Sequence, residues 1–362
     1  YWDNGDIPWI KIGDINNKYV KNASEYITVD GLNNSSAKLF KKGTILYTIF
    51  ATVGEVAILD FDATTNQAIV GLNHNEKIDT NYLYYFLKSQ KDKISNIGRG
   101  VAQNNINMSI LKDIKVPIPD KTVQLKISEV LDNAQGLIDK RKKQIEELDL
   151  LVKSKFIEMF GDPVKNQKKL AKVKLSELGE WKTGGTPLRS KSEYYNGNIP
   201  WLSSGELNNK YCFKSNEMIT ESAIIESAAK IIEVGSLLLG MYDTAALKST
   251  INMIECSCNQ AIAYSKLNEN LVNTVYVYYC IQIGKEFYKS QQRGVRQKNL
   301  NLSMVKGLEI LMPPLEFQNQ FAEFVKQVDK LKFEMERISN LYRKIKNTEW
   351  KVKKLLFNMN IM

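Results

Sequence analysis

Histidine is almost absent from this chain: 362 residues carry one, His74. A single histidine excludes a two-histidine metal site or an HNH-type nuclease centre built within the chain, and His74 reads as structural or solvated. Cysteine is nearly as scarce, and its four copies, Cys212, Cys256, Cys258 and Cys280, all lie in the second half. Cys256-Ser-Cys258 has the spacing C-x-C, not the C-x-x-C of a zinc knuckle or redox pair. The four thiols read as reduced core residues of a cytosolic protein. No G-x-x-x-x-G-K-[ST] sequence occurs, which excludes a Walker-type ATP motor. No G-x-G-x-x-G opens a helix, so nothing supports a dinucleotide or adenosyl cofactor fold. The most apolar run, Ile231–Tyr242, contains Glu233 and is too short to span a bilayer. Asp3 and Asp6 break any signal-peptide pattern at the start. Met312-Pro313-Pro314-Leu315 superficially suggests an amino-methyltransferase loop, but it lacks the leading Asp or Asn and the aromatic that would hold a target amine. The carboxylates form no nuclease-like cluster. With no catalytic kit and no resident cofactor expected, the chain reads as a reader or scaffold.

What the chain does have is a duplication. Gly5–Tyr19 reads GDIPWIKIGDINNKY, and Gly197–Tyr211 reads GNIPWLSSGELNNKY. The shift is 192 residues (197 − 5), far longer than a solenoid repeat, so each copy is domain-sized. Further matches keep the copies in parallel. Lys42-Gly43-Thr44 before Ile45-Leu46-Tyr47 answers Val234-Gly235-Ser236 before Leu237-Leu238-Leu239, a turn feeding a buried strand. Asn66–Ile69 answers Asn259–Ile262, and Arg99-Gly100-Val101 answers Arg293-Gly294-Val295. Aromatic-rich runs at Tyr82–Lys88 and Tyr276–Ile283 have helical length and period. The lead-in Val173–Tyr195 of the second copy has no counterpart before Tyr1.

Each copy ends at prolines, Pro117-Ile118-Pro119 and Pro313-Pro314, and a long 3-4 hydrophobic repeat follows each. In the first, Leu131, Ala134, Ile138, Ile145, Leu148, Val152 and Met159 keep the spacing, with Arg141 and Lys155 interrupting. In the second, Phe321, Phe324, Val328, Leu331, Met335, Ile338 and Tyr342 begin a run that continues to Met359. Charges between the apolar positions make this a coiled-coil pattern. About 40 residues give a helix about 60 Å long. The expected fold class is α+β: two tandem α/β domains separated by two long antiparallel coiled-coil helices, with internal pseudo-two-fold symmetry. The expected boundaries are 1–119, 120–162, 163–313 and 314–362. Residues 1–119 should superpose on about 193–313.

The chain resembles the specificity (S) subunits of type I restriction–modification systems. The carriers are Asn196–Trp201, the lead-in Gly184-Gly185-Thr186-Pro187, and the R-G-x-x-Q-x-N-[IL]-N loops at Arg99–Asn107 and Arg293–Asn301. The proline-to-helix entries Pro117–Gln124 and Pro313–Gln318 match, as does Phe156–Asp162 at the end of the first helix. The resemblance implies two target recognition domains, each reading one half of a split DNA site, and helices that space them and dock methyltransferase subunits. It implies double-stranded DNA, two methyltransferase subunits and restriction–translocase subunits as partners, with no membrane. S-adenosylmethionine, ATP and magnesium would belong to those partners, and the setting would be bacterial or archaeal cytoplasm. The chain itself would be non-catalytic.

Base and phosphate contacts call for Arg, Lys, Asn and Gln, and the net charge of +10 suits an acidic polymer. The first domain offers Lys11, Lys18, Arg99, Gln103 and Asn104. The second offers Lys182, Arg189, Lys191, Arg293, Arg296, Gln297 and Lys298. Asn105, Asn107, Asn299 and Asn301 recur in both copies and read as loop-building, while Trp9 and Trp201 read as core. The competing reading is a structural coiled-coil adaptor whose heads bind protein.

Overall fold

Each domain is built outward from a glycine turn. Gly43 (φ 90°) and Gly235 (φ 82°) sit in left-handed backbone that a side chain would strain. The strands they feed, Ile45–Thr48 and Leu237–Gly240, are buried at every residue. In the first domain Ile45–Thr48 pairs antiparallel with Val56–Leu59 and with Ile69–Leu72. Tyr19–Val20 then adds parallel to Val56–Leu59. In the second domain Leu237–Gly240 pairs antiparallel with Ser249–Asn252 and Ile262–Ser265, and Tyr211–Cys212 adds parallel to Ser249–Asn252. Continuous burial explains why Ile45–Thr48 and Leu237–Gly240 open as unbroken apolar runs rather than alternating ones. A second, three-stranded sheet repeats too. Ile7–Ile10 lies between Glu25–Ile27 and Thr64–Thr65, and Tyr195–Leu202 lies between Glu217–Ile219 and Ser257–Cys258.

This computed structural model describes residues 1–98, 106–242, 246–290 and 299–359, with side chains at 95–98 and 345–359 excepted. The lead-in to the second copy is structural. Its Lys172–Lys174 pairs with Glu309–Leu311, and its Lys182–Thr183 becomes a fifth strand on Ile262–Ser265. Trp201 depends on it as well: the indole is buried and its N–H donates to the Gly185 carbonyl at 3.1 Å. Trp9, expected in the core, is only half-buried and meets Trp2 edge-on at 5.5 Å.

The aromatic runs are helices, Thr80–Ser89 and Thr274–Ile283, capped by Asp79 and Asn273. The two long helices span Lys121–Phe160 and Leu315–Met359. Each is fastened near its start by a buried glutamine. Gln124 accepts from the Asp79 backbone N–H and donates to the Lys77 and Pro119 carbonyls. Gln318 accepts from the Asn273 N–H and donates to the Pro313 carbonyl. The first helix stops at Gly161 (φ 79°), and Lys168 donates to the carbonyls of Glu158 and Met159 there.

The chain forms two compact units, and both long helices are divided between them: Tyr1–Lys142 with Glu336–Met362, and Lys143–Met335. Each unit therefore holds one domain with a segment of each helix. In the first, Ile127 and Leu131 join the core formed by the sheet and the helix Thr80–Ser89. In the second, Val152, Phe156 and Phe160 meet Phe321, Val325 and Val328 over the helix Thr274–Ile283. There Phe156 touches Phe321 (5.4 Å) and Asp149 pairs with Lys332 (2.7 Å). Going back along one helix goes forward along the other, so the segments in this unit are antiparallel. The 3-4 repeat misplaces positions in both helices: in the second, Leu331 is 53% exposed, while Val325, off the repeat, is buried. The buried stripe follows the domain against which the helix lies, and periodicity alone does not see that neighbour.

Candidate DNA-reading loops and their supports

The two R-G-x-x-Q-x-N loops are hung from matching supports. The helices Lys91–Gly98 and Lys285–Ser290 precede them. After them, the Ile106 N–H donates to the Ile49 carbonyl at 3.0 Å, and the Leu300 N–H donates to the Met241 carbonyl at 2.7 Å. Asn107 then caps Met108–Lys112 and Asn301 caps Leu302–Lys306, each accepting from the backbone N–H three residues on. These asparagines build the loop's exit. The candidates Arg99, Gln103, Asn104, Arg293, Arg296, Gln297 and Lys298 lie outside the described residues, as does Asn105.

The five remaining candidates are placed, and each has an intramolecular partner. Lys11 pairs with Glu25 at 2.5 Å, and its backbone N–H donates to Asp14. Lys182 pairs with Glu180 at 2.9 Å. Arg189 grips Glu217 with two nitrogens, at 2.5 and 3.2 Å, and its guanidinium stacks over Tyr195 and Trp201 at 4.6 and 5.0 Å. The hydrogen bond to Glu217 raises its pKa further. Lys191 donates to the Tyr194 hydroxyl at 2.7 Å and sits 3.4 Å from Glu226, and these partners hold its pKa up, the tyrosine first. Exposed pairs of this kind are worth little in stability. They do hold the side chain in one place, and an arginine stacked on two rings presents a fixed edge.

Lys18 is different. Its side chain is 16% exposed and it reaches the first long helix, where it pairs with Asp132 at 2.5 Å. The Tyr85 hydroxyl donates to the same carboxylate at 2.6 Å, and the Lys18 ammonium lies over the Tyr85 ring at 4.9 Å. The second unit repeats this with Lys210, which the sequence reading left out of its candidates. Lys210 reaches Asp329 of the second long helix, 2.7 Å from one carboxylate oxygen and 2.6 Å from the other. It also donates to the Tyr279 hydroxyl at 3.1 Å and lies over that ring at 5.2 Å. Burial lowers the Lys210 pKa, and Asp329 partly offsets that. Burial, with Asp329 adding to it, pushes Tyr211 beside it up to about 12. The signal was present in sequence: Lys18 and Lys210 are equivalent in the duplication, and a lysine kept in both copies is poorly suited to reading two different half-sites.

Among the described residues no group of three or more His, Cys, Asp or Glu could hold a metal, and no helix is long and apolar enough to cross a membrane. His74 bonds to Thr80 and to the Asn75 carbonyl. Burial raises the Cys256 thiol to about 12, far from a reactive thiolate.

A family model described as the type I restriction modification DNA specificity domain matches residues 1–149 and again 167–347. A type I restriction enzyme specificity subunit of Methanocaldococcus jannaschii (MjaIX) is 26% identical over 90% of this chain and 80% of its own length. The EcoR124I/EcoR124II specificity subunit of Escherichia coli is 22% identical over 91% of this chain and 88% of its own. Among solved structures, a chain studied for assembly and conformational transition of the type I R-M system superposes with a TM-score of 0.63, 13% identity, and coverage of 94% and 89%. The S subunit from M. genitalium gives a TM-score of 0.54 at 16% identity, with coverage of 95% and 87%. At these identities the structures speak for the fold.

Proposed function

Because the chain belongs to the family of type I restriction–modification DNA specificity domains, we propose that it is the non-catalytic subunit that selects a two-part DNA site. Each domain reads one half-site, chiefly through residues 99–104 and 293–298. The observation that carries this reading is the duplication of the whole loop support: helix before, backbone anchor at Ile106 or Leu300, capping asparagine after. Matching supports with different loop residues suit two readers of two sequences. Arg and Gln can read base edges in the major groove, and Lys contacts phosphate. The long helices set the distance between half-sites and carry the surfaces for two methyltransferase subunits. Restriction–translocase subunits join that core. S-adenosylmethionine, ATP and magnesium are cofactors of those partners, and the complex works in the cytoplasm.

The test is reconstitution with the methyltransferase encoded beside it, followed by mapping of methylated adenines across a DNA library. The expected outcome is one sequence in two parts with a fixed gap. Arg296→Ala or Gln297→Ala should weaken recognition of the second half-site alone, by roughly 1–3 kcal/mol for a base-contacting residue. Methylation at a continuous site, or none dependent on this chain, overturns the reading.

A further inference from the structure

The duplicated lysine–aspartate pairs join a recognition domain to a long helix. We infer that Lys18–Asp132 and Lys210–Asp329 fix the angle at which each recognition domain is held on its long helix, and thereby set how strictly the gap between half-sites is measured. This rests on the two-part reading above. On it, Lys18 is a positioning residue and not a base reader.

At the start of each helix, Gln124 and Ser128 bond to Asp79, and Gln318 and Asn319 bond to Asn273, which pins one point of each junction. Away from that point the junction is apolar or made of tyrosine rings, and apolar contact is non-directional. Ile127 and Leu131 beside the helix Thr80–Ser89, and Phe321 and Val325 beside Thr274–Ile283, hold a domain on its helix without resisting a small tilt. A charged hydrogen bond has a preferred distance and direction. The lysine end of each pair is closed in: the lysine side chains are 16% and 13% exposed, against 43% for Asp132 and 28% for Asp329, so a tilt that parted them would leave a largely desolvated ammonium unpaired. A tyrosine fixes a second side of each triangle. Tyr85 binds the carboxylate, and Tyr279 binds the ammonium. The sequence positions differ by 192 for the lysines (210 − 18), 194 for the tyrosines (279 − 85) and 197 for the aspartates (329 − 132). The contact is kept although the intervening chain has changed length. That is what a constraint on geometry leaves behind, whereas loop residues are free to differ.

The lever is long enough to matter. A domain of this size has a radius of gyration of about 13–14 Å, so a tilt of about 10° carries a face roughly 20 Å from the pivot through about 3.5 Å. That is the rise of one base pair, about 3.4 Å. A locked domain measures the gap to the base pair, and a loosened one accepts a neighbouring gap.

The test uses the reconstituted methyltransferase complex and DNA in which the gap between half-sites is native, one base pair longer or one shorter. The readout is the ratio of methylation rates at native and altered gaps. In Lys210→Met that ratio should fall by about tenfold or more towards unity, equivalent to about 1.4 kcal/mol. The bases preferred within each half-site should not change. Lys210→Arg should keep most of the strictness. Asp329→Asn, nearly isosteric, and Lys18→Met in the other unit are read the same way, so a poorly folding Lys210→Met does not decide the matter. A variant that lowers methylation equally at every gap assigns the pair to stability alone and overturns the inference. So does a changed base preference in the first half-site with Lys18→Met, which would make Lys18 a reader. If the unaltered chain shows no fixed gap, the failure belongs to the two-part reading instead.

Discussion

Single side chains in this protein act mostly through what they do in the dark interior, and Tyr47 is the clearest case. It is fully buried in the central strand, its hydroxyl has no hydrogen-bond partner among the described residues, and burial pushes its pKa up to about 12. An unpaired buried hydroxyl costs stability, so Tyr47→Phe should raise stability at neutral pH by about 1 kcal/mol, read in urea or guanidinium melts. The alkaline limb gives a second check. A tyrosine whose folded pKa lies above its unfolded value of about 10 contributes stability that is intact below pH 10 and lost as pH rises towards 12. A shift of about two units corresponds to roughly 2–3 kcal/mol of loss across that window. Tyr47→Phe should therefore flatten the decline between pH 10 and 12, and an unchanged slope would show that Tyr47 does not carry it. At this scale the sequence was legible where identity was repeated for structure: Asn107 and Asn301, read as loop-building, are caps, whereas the buried fastening by Gln124 and Gln318 came only from the fold. It was less legible for charge. Lys18 and Arg189 look alike in sequence as exposed cations, yet one is closed against a helix and the other is clamped on two rings. Only the fold supplies those partners.

The elements were read largely from proline, glycine and period. The expected helices at 120–162 and 314–362 are Lys121–Phe160 and Leu315–Met359, and the glycine turns feed the strands they were expected to feed. What the 3-4 repeat could not give was which stripe is buried most deeply. It chose Met159, which is only partly buried, whereas Phe156 and Phe160 sit at the centre of the second unit's core. Phe156 is fully buried, stacked on Tyr276 at 5.6 Å and edge-on to Phe160 and Phe321. The first helix, the second helix and the domain meet at this one ring. Phe156→Ala should destabilise that unit by about 3–5 kcal/mol through lost transfer and an unfilled cavity. Met159→Ala should cost clearly less. Calorimetry of the two variants checks the order, and the reverse order would mean that the repeat, not the cluster, marks the working seam. The lead-in was visible in sequence, but its role as an added strand and as the acceptor for Trp201 came only from pairing. A two-residue strand carries no period to detect.

At the scale of the whole molecule, the division of both long helices between two compact units says where length can be changed. Residues 139–145 of the first helix and 336–342 of the second fall outside the hydrophobic clusters that hold the domains, which take in Leu131 and then resume at Leu148, and end at Val328. Removing both heptads takes away about 10 Å of helix, close to three base pairs. Seven residues are nearly two whole turns, so the apolar stripe stays in register, while removing three or four would turn it out of line. Neither domain, neither loop support and neither lysine–aspartate pair is touched. If the helices only space the readers, the doubly shortened chain should methylate sites with the same two half-sequences and a gap shorter by about three base pairs. Its rate should fall, because shortening B-DNA by three base pairs also turns one half-site by roughly 100° relative to the other, and about 20° is all that the helical drift of a heptad supplies. Methylation mapping across a gap library reads both at once. A shortened chain that keeps the original gap, or that changes the bases read, would show that spacing and reading are not separate properties of this fold.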